Sequence, residues 1–159
     1  MTKSTGAHDA KIRLGISSCL LGQKVRFDGN HKLDSFLTGT LGRFFEWVPV
    51  CPEVAIGLGV PRPPIRLVGI PANPRAVGVK DASLDVTDKL AAYGKQQARK
   101  LDDLSGYVFK SRSPSCGMER VKVYPRAGMP AVKGCGIYAD AFLSERPWLP
   151  AEEEGRLGN

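Results

Sequence analysis

The sequence predicts an α/β fold: a single domain with a Rossmann-like, mostly parallel sheet flanked by helices. Segments with the alternation of strands take turns with segments of helical periodicity along the 159 residues. About 30 residues separate Cys19 from Cys51, which is the length of one strand-helix-strand unit. A chain of this length suits one domain that buries roughly two-thirds of its unfolded surface.

The amino-terminal part supplies the first parallel pair of strands. The run Ile12 to Ile16 alternates as a strand, and apolar residues between Leu33 and Phe44 recur at helical spacing. A second apolar run, Val48 to Cys51, is ended by Pro52. A strand, a helix and a strand in this order predict two parallel neighbours.

The middle of the chain predicts a hairpin and then a helix. Two strand candidates, Ile65 to Ile70 and Ala76 to Lys80, flank a turn rich in proline. A helix capped by Asp85 or Thr87 should then run through Leu104, with its apolar residues on one face. The remaining predicted elements are a strand at Tyr107 to Lys110, a strand around Val121 and Val123, and a helix at about Ile137 to Glu145.

Composition limits the boundaries and the setting of the domain. Residues 1–10 are small and polar and are predicted to be disordered, residues 11–149 form the domain, and residues 150–159 form an acidic flexible tail. Four dispersed cysteines and the lack of a signal-peptide core favour a cytoplasmic protein with reduced thiols. No apolar stretch is long enough for a membrane span, so no membrane role is expected. The sequence does not predict the oligomeric state.

The formal charge of +7 favours anionic partners, but it is a weak indication. The basic residues are spread along the chain, and no motif combines basic with aromatic residues. Nucleic acid is therefore a possible partner but not the favoured one. Neither G-x-G-x-x-G nor a P-loop occurs, so dinucleotide binding and P-loop chemistry have no support in the sequence.

Three cysteines follow the predicted core strands. Cys19 and Cys51 come just after the first two strands, and Cys116 follows the strand at Tyr107 to Lys110. Because ligands of open α/β sheets bind beyond the carboxyl ends of the strands, these thiols are expected to meet at one edge. Three thiolates leave a metal centre one position short, as catalysis by a metal or an iron-sulfur cluster requires.

Other uses of the cysteines are less well supported. The spacing from Cys19 to Arg26 does not fit a phosphatase-like loop, and His31 lies in a turn where a solvated histidine is the ordinary interpretation. Structural zinc usually uses close pairs of cysteines, and no such pair occurs. Cys135 lies between two glycines in a context that favours simple packing, although a four-cysteine site stays open.

Five motifs in the chain resemble one known family. The resemblance covers roughly residues 12 to 145, and the family is that of the bacterial thiouracil desulfidases, first catalogued as a domain of unknown function. The motifs are Ile16-Ser-Ser-Cys-Leu-Leu-Gly22, Val25-Arg-Phe-Asp-Gly29, Cys51-Pro-Glu-Val-Ala-Ile-Gly57, Val60-Pro-Arg-Pro-Pro-Ile-Arg66 and Ser111-Arg-Ser-Pro-Ser-Cys-Gly117.

The resemblance implies an iron-sulfur enzyme. Cys19, Cys51 and Cys116 would hold a 4Fe-4S cluster whose fourth iron has no protein ligand. The sulfur of 2-thiouracil or 4-thiouracil would bind that iron, and water would replace it in a hydrolytic, non-redox reaction that gives uracil and hydrogen sulfide. The partner implied is thus a small thiolated pyrimidine.

The resemblance also implies the remaining site residues. Glu53, two residues after a ligand, would transfer protons, although a carboxylate there also suits the first turn of a helix. Ser111 and Ser113 would lie near the substrate. Asp28, Arg62 and Arg66 could shape the pocket or bind an anionic substituent, but a turn at Asp28 and surface positions for the two arginines are the favoured interpretation.

Two alternatives stay open. One is a metal-stabilised RNA-binding module without catalytic activity, and the other is a desulfidase that acts on thiolated nucleotides within RNA.

Overall fold

The computed structural model describes residues 11–158. The predicted disorder of residues 1–10 lies outside the described residues. The strands and helices, in chain order, are β1 (Ile12–Ser17), β2 (Phe45–Val50), α1 (Pro52–Ala55), β3 (Ile65–Ile70), β4 (Asn73–Gly78), α2 (Thr87–Lys100), β5 (Gly106–Phe109), β6 (Val121–Tyr124), β7 (Ala131–Gly134), α3 (Ile137–Glu145), β8 (Ala151–Glu153) and α4 (Glu154–Leu157).

The first sheet is parallel throughout and has the strand order β2-β1-β5-β8. Strand β1 pairs in parallel with β2 and β5, and β5 pairs in parallel with β8. The predicted α/β class, the mostly parallel sheet and the parallel pairing of the first two strands are therefore confirmed. Because all four strands point the same way, their carboxyl ends open onto one edge.

A second, mixed sheet has the order β4-β3-β6-β7. The predicted hairpin is present, with β3 and β4 antiparallel, and β6 joins β3 in parallel. Sequence periodicity did not predict that the hairpin belongs to a separate sheet. Periodicity reports which face of a strand is buried and not which strand lies beside it.

The two long helices tie the sheets together. Leu90 on α2 and Ile137 on α3 pack with apolar residues of the second sheet, while Ala98 and Tyr138 on the same helices pack with the first. Helix α2 buries the predicted face but ends at Lys100, one turn early, and α3 has the predicted bounds. No helix among residues 11–158 is long and apolar enough to cross a membrane.

The segment from Leu33 to Phe44 forms only short irregular turns instead of the predicted helix. A π-helical turn spans Phe36–Thr40, and a 3-10 turn spans Leu41–Arg43. Leu37 is fully buried, whereas Leu33 and Phe44 are exposed, so the apolar spacing does not correspond to one buried face. The segment Thr38-Gly39-Thr40 also has low helix propensity.

The carboxyl-terminal segment differs from the expected flexible tail. Ala151–Glu153 forms strand β8 at the edge of the first sheet, and Glu154–Leu157 forms a helical turn. The run of acidic residues suggested a solvated tail, but the Glu153 side chain is buried and bonds the chain beside Cys116. Backbone pairing to β5 and these side-chain bonds hold the segment in place.

Candidate functional site

A cavity of about 250 Å³ lies beyond the carboxyl ends of the parallel strands β1, β2 and β5. Such an edge is where open α/β sheets bind ligands. The cavity is smaller than pockets for drug-sized ligands, which begin at roughly 300 Å³. Its lining residues include Ser17, Ser18, Cys19, Arg26, Cys51, Glu53, Arg62, Lys110, Ser111, Arg112, Ser113, Ser115 and Cys116.

Each of the three cysteines predicted to meet reaches this cavity from a different part of the sheet. Cys19 lies in a 3-10 turn, Ser18–Leu21, that directly follows β1. Cys51 is the residue before α1, and Cys116 lies in the loop after β5. The crossover connections between the parallel strands thus bring three cysteines that are far apart in the sequence to the same cavity.

Burial shapes the chemistry of these thiols. Desolvation raises the pKa of Cys19 and Cys51, and it raises the pKa of Cys116 to about 12. Opposing this, the charges of Lys110 and Arg26 act on Cys19, and a hydrogen bond from Ser17 acts on Cys116. The surroundings therefore contain groups that favour thiolates, as metal binding requires.

Cys135 does not line the cavity. Its thiol donates a hydrogen bond to the carbonyl oxygen of Gly136 at 3.7 Å, and burial raises its pKa to about 12. The acidic residues Asp140 and Glu153 near it oppose formation of a thiolate. These contacts agree with the packing interpretation of Cys135.

No group of three or more His, Cys, Asp or Glu side chains in the described part of the chain converges closely enough to hold a single metal ion.

Glu53 is held by two strong contacts at the cavity wall. Arg62 donates from Nε to Oε1 at 3.1 Å, and the Ser115 hydroxyl donates to Oε2 at 2.8 Å. Glu53 also lies in the first turn of α1 after Pro52, so its expected position at a helix start and its place in the cavity coexist.

Arg62 is buried, contrary to the expectation of a surface arginine. Besides the bond to Glu53, its Nη1 donates to the carbonyl oxygens of Val25 and Gly59 at 2.8 and 2.9 Å. These bonds engage Nε and Nη1 of the guanidinium and join the loop before β3 to helix α1, which directly follows Cys51. In the sequence, the indication that Arg62 belongs to the site was its place within a proline-rich motif.

Asp28 lies in a turn, where its side-chain oxygen accepts a hydrogen bond from the backbone N–H of Asn30.

A chain of hydroxyl groups connects the cysteine-bearing loop to Glu53. Ser113 Oγ accepts the backbone N–H groups of Ser115 and Cys116, so its own proton is free to bond Ser115 Oγ at 3.1 Å. Ser115 in turn donates to Glu53. Sequence reasoning singled out Ser113 but not Ser115, although both serines belong to the same motif.

Ser111 lines the same cavity and is bonded to the end of the chain. Its backbone N–H and its hydroxyl both donate to Glu154, at 2.7 and 2.9 Å. The ammonium of Lys110 lies 3.3 Å from the same carboxylate. The structure places His31 elsewhere, where its Nδ1 accepts the N–H of Leu33 outside the cavity.

The fold and the cavity define an α/β enzyme with a small polar site, rich in thiols, at the carboxyl edge of a parallel sheet. The chain belongs to the 2-thiouracil desulfurase family, whose model matches residues 14–154. The family predicted from the motifs is thereby confirmed, as is its class of activity, the desulfuration of thiouracil.

Two similar proteins agree with this assignment. The solved structure of the 4Fe-4S-dependent thiouracil desulfidase TudS has a TM-score of 0.68 and 32% identity, and the match covers 93% of this chain and 94% of that one. A Bacillus subtilis (strain 168) protein called Uncharacterized protein YbbK is 30% identical over 113 residues, which cover 64% of this chain and 71% of that protein.

Proposed function

We propose that the protein is a 4Fe-4S-dependent desulfidase that converts 2-thiouracil or 4-thiouracil to uracil and hydrogen sulfide. Cys19, Cys51 and Cys116 hold the cluster in this proposal, and one iron has no protein ligand. The observation that carries it is the meeting of these three thiols in one cavity that Cys135 does not line. Family membership and the 4Fe-4S dependence of TudS support the same cofactor.

The donor set fits an iron-sulfur cluster. Thiolates are the usual ligands of such clusters, and three thiols line this cavity. The positive charges of Lys110 and Arg26 near Cys19, and of Arg62 near Cys51, would offset part of the charge of three thiolates. When bound, the cluster would supply a thiophilic Lewis-acidic iron for the substrate sulfur.

Glu53 would accept a proton from the attacking water and return it to the departing sulfur. Water supplies the new ring oxygen, and its two protons leave with the sulfur as hydrogen sulfide, so no electrons are exchanged. Arg62 and Ser115 hold the carboxylate in one orientation at the cavity wall. The hydroxyls of Ser113 and Ser115 continue this hydrogen-bond chain and offer a path for the proton.

The polar groups of the loop after β5 would orient the pyrimidine ring. A thiouracil presents ring N–H donors and a carbonyl acceptor, and the cavity wall carries the Ser111 and Ser113 hydroxyls and the Lys110 ammonium. The volume of about 250 Å³ suits a small ring better than a larger ligand.

Anaerobic purification followed by assay with 2-thiouracil and 4-thiouracil tests the proposal. We expect a brown protein with a broad absorption band in the visible region, four irons per chain and release of one sulfide per uracil formed. A colourless protein without sulfide release after anaerobic reconstitution with iron and sulfide would overturn the proposal.

A second candidate substrate, a thiolated nucleotide alone or within RNA, is favoured by a basic groove beside the cavity. The groove has a volume of about 630 Å³ and shares Ile65, Arg112 and Pro114 with the cavity wall. Its cations are Arg66, Arg112, Arg120 and Lys122. None of them forms an ion pair with another described residue, and Arg66 stacks on the Tyr124 ring at 4.6 Å, so no described carboxylate offsets their charge and they would attract phosphate.

Comparison of free thiouracil, its nucleoside monophosphate and a short thiolated RNA as substrates tests this candidate. If phosphate occupies the groove, the KM of the nucleotide should rise with salt and in Lys122→Met, whereas the KM of the free base should not change. Equal salt dependence for base and nucleotide would exclude the groove. The alternative of a non-catalytic RNA-binding module with a four-cysteine metal site gains no support, because Cys135 lies outside the cavity.

A cytoplasmic location is also proposed. The four cysteines are free thiols, and an exposed iron would need a reducing compartment. Fractionation of the producing cells, with the protein detected by antibody, is the direct measurement.

A further inference from the structure

The end of the chain reaches the active-site loop through one buried carboxylate. Glu154, at the start of α4, accepts the backbone N–H of Ser111 at Oε1 and the Ser111 hydroxyl at Oε2. The Lys110 ammonium lies beside Oε2. Ser111 and Lys110 line the cavity, but Glu154 does not. Glu154 therefore contacts two residues that line the cavity without lining it itself.

Strand pairing explains this arrangement. In the parallel ladder between β5 and β8, Phe109 is opposite Glu153. The next residues in each strand direction are Lys110 and Glu154, so opposite charges fall side by side as the strands end. Both side chains are largely buried, with 17% and 14% of their areas exposed. Such a pair is less screened by solvent than an exposed one.

The Glu154 carboxylate is ionised in this setting. Burial alone would raise its pKa, but the hydrogen bonds from Ser111 and the charge of Lys110 outweigh burial and lower the pKa below its ordinary value. An ionised carboxylate accepts hydrogen bonds at both oxygens, and such bonds are stronger than those between neutral groups.

The same segment holds the far end of the cysteine-bearing loop. Glu153 Oε2 accepts the backbone N–H of Met118 at 2.8 Å. Leu157 packs on the apolar cluster that contains Cys19. Cys116 thus lies between two backbone positions, Ser111 and Met118, that neighbouring carboxylates fix.

We propose that Glu154 is a positioning residue of the active site, which directs the Ser111 hydroxyl and the Lys110 ammonium toward the bound pyrimidine. This inference rests on the proposed function, and it adds that the carboxyl-terminal segment, β8 with α4, positions residues of the site. Without Glu154 the Ser111 hydroxyl has no fixed acceptor and Lys110 has no counter-charge. The loop between Ser111 and Met118 should then sample other conformations.

Glu154→Gln in the cluster-loaded enzyme tests the inference, with Glu152→Gln, two residues earlier in strand β8, as the matched control. We expect the variant to keep its absorption spectrum and iron content while the KM for 2-thiouracil rises about tenfold, and its melting temperature should fall because Lys110 loses its counter-charge. The turnover number should change less than the KM, because the group lost acts on binding orientation. Glu154→Asp keeps the charge and should recover part of the loss.

A double-mutant cycle separates positioning from general damage. Because Glu154 acts partly through Ser111, the variant carrying both Glu154→Gln and Ser111→Ala should be less impaired than the sum of the two single effects. Hydrogen exchange of the peptide containing residues 110–118 should be faster in Glu154→Gln than in Glu152→Gln. Additive effects in the cycle, or unchanged exchange and KM, would overturn the inference.

The exchange measurement also distinguishes this inference from the proposed function. A wild-type protein without cluster or desulfuration refutes the proposed function, whereas slow exchange of the loop that persists in Glu154→Gln refutes the role of Glu154. If Glu154→Gln proves too unstable to purify, the same comparison is made with Glu154→Asp and Ser111→Ala, whose exchange and KM decide in the same way.

Discussion

The Glu53 carboxylate has both oxygens engaged, one by Arg62 and the other by Ser115. This arrangement fixes its direction at the cavity wall and leaves proton transfer as its one chemical task in the proposed mechanism. Glu53→Gln keeps the shape and can still accept the Ser115 hydrogen bond. We expect an unchanged cluster spectrum and a turnover number lower by about 10²- to 10⁴-fold. Normal turnover in this variant would identify Glu53 as a helix-start residue only.

Arg62 stabilises the site by pairing with Glu53 in a buried setting, with 4% and 13% of the two side chains exposed. Removal of one partner from such a pair leaves an uncompensated charge. Arg62→Met should therefore lower the free energy of unfolding by about 3–5 kcal/mol in urea titrations. The matched control is Arg75→Met, whose partner Asp85 is more exposed, and a cost of at most about 1 kcal/mol is expected there. An equal loss of unfolding free energy in Arg62→Met and Arg75→Met would contradict the stronger contribution that we assign to the buried pair.

The cysteines differ in the roles that we assign to them. Cys116→Ser removes a proposed ligand and should abolish most of the cluster absorbance and iron content after anaerobic reconstitution. Cys135→Ser is the natural control, because Cys135 lies outside the cavity, and it should retain both. Loss of the cluster in Cys135→Ser with retention in Cys116→Ser would reverse the ligand assignment.

The contact between helices α2 and α3 depends on a glycine that the helical pattern placed on the buried face. A Cβ at Gly94 would lie 2.8 Å from the Tyr138 carbonyl oxygen and 2.9 Å from the Ala141 Cβ. Gly94→Ala should therefore destabilise the protein by about 1–3 kcal/mol despite its better helix propensity. Gly39→Ala is the control, since nothing lies within 4 Å of its added Cβ. Thermal unfolding of both variants makes the comparison.

Local patterns predicted the elements that have strong signals of their own. The face of α2, the bounds of α3 and the hairpin of β3 and β4 follow from periodicity and turn residues. Strand β8 could not be predicted, because Ala151–Glu153 has no apolar alternation and its pairing with β5 depends on a distant partner. For the same reason, the roles of Glu154 and Arg62 could not be predicted, because their hydrogen-bond partners are distant in the sequence.

The positions of the three candidate cysteines could be predicted because they belong to recognisable motifs, whereas their roles stay predictions. The sequence placed Cys19, Cys51 and Cys116 after strands, and the structure brings all three to one cavity. Ser111 and Ser113 were predicted to lie in the site but Ser115 was not, because no sequence feature distinguishes a structural from a catalytic serine in a turn. The hydrogen bond to Glu53 distinguishes it.

The whole molecule should remain folded without its proposed cluster. Three apolar clusters hold the described residues together, and the cavity-lining residues Cys19 and Cys116 are each only one member of such a cluster. Helices α2 and α3 pack on both sheets mainly through apolar residues other than the cysteines. Since a ligand bound only to the folded state stabilises it, cluster removal should still lower the melting temperature.

Exposure of the loaded protein to oxygen and a chelator tests this expectation. The visible absorbance and desulfuration should disappear while the far-ultraviolet circular dichroism and a single cooperative thermal transition persist at a lower temperature. Cys135→Ser serves as a control for adventitious thiol oxidation, because its response should equal that of the wild type. A cluster-free protein that lacks the cooperative transition and binds hydrophobic dyes would mean that the three thiols hold the fold as well as the cofactor.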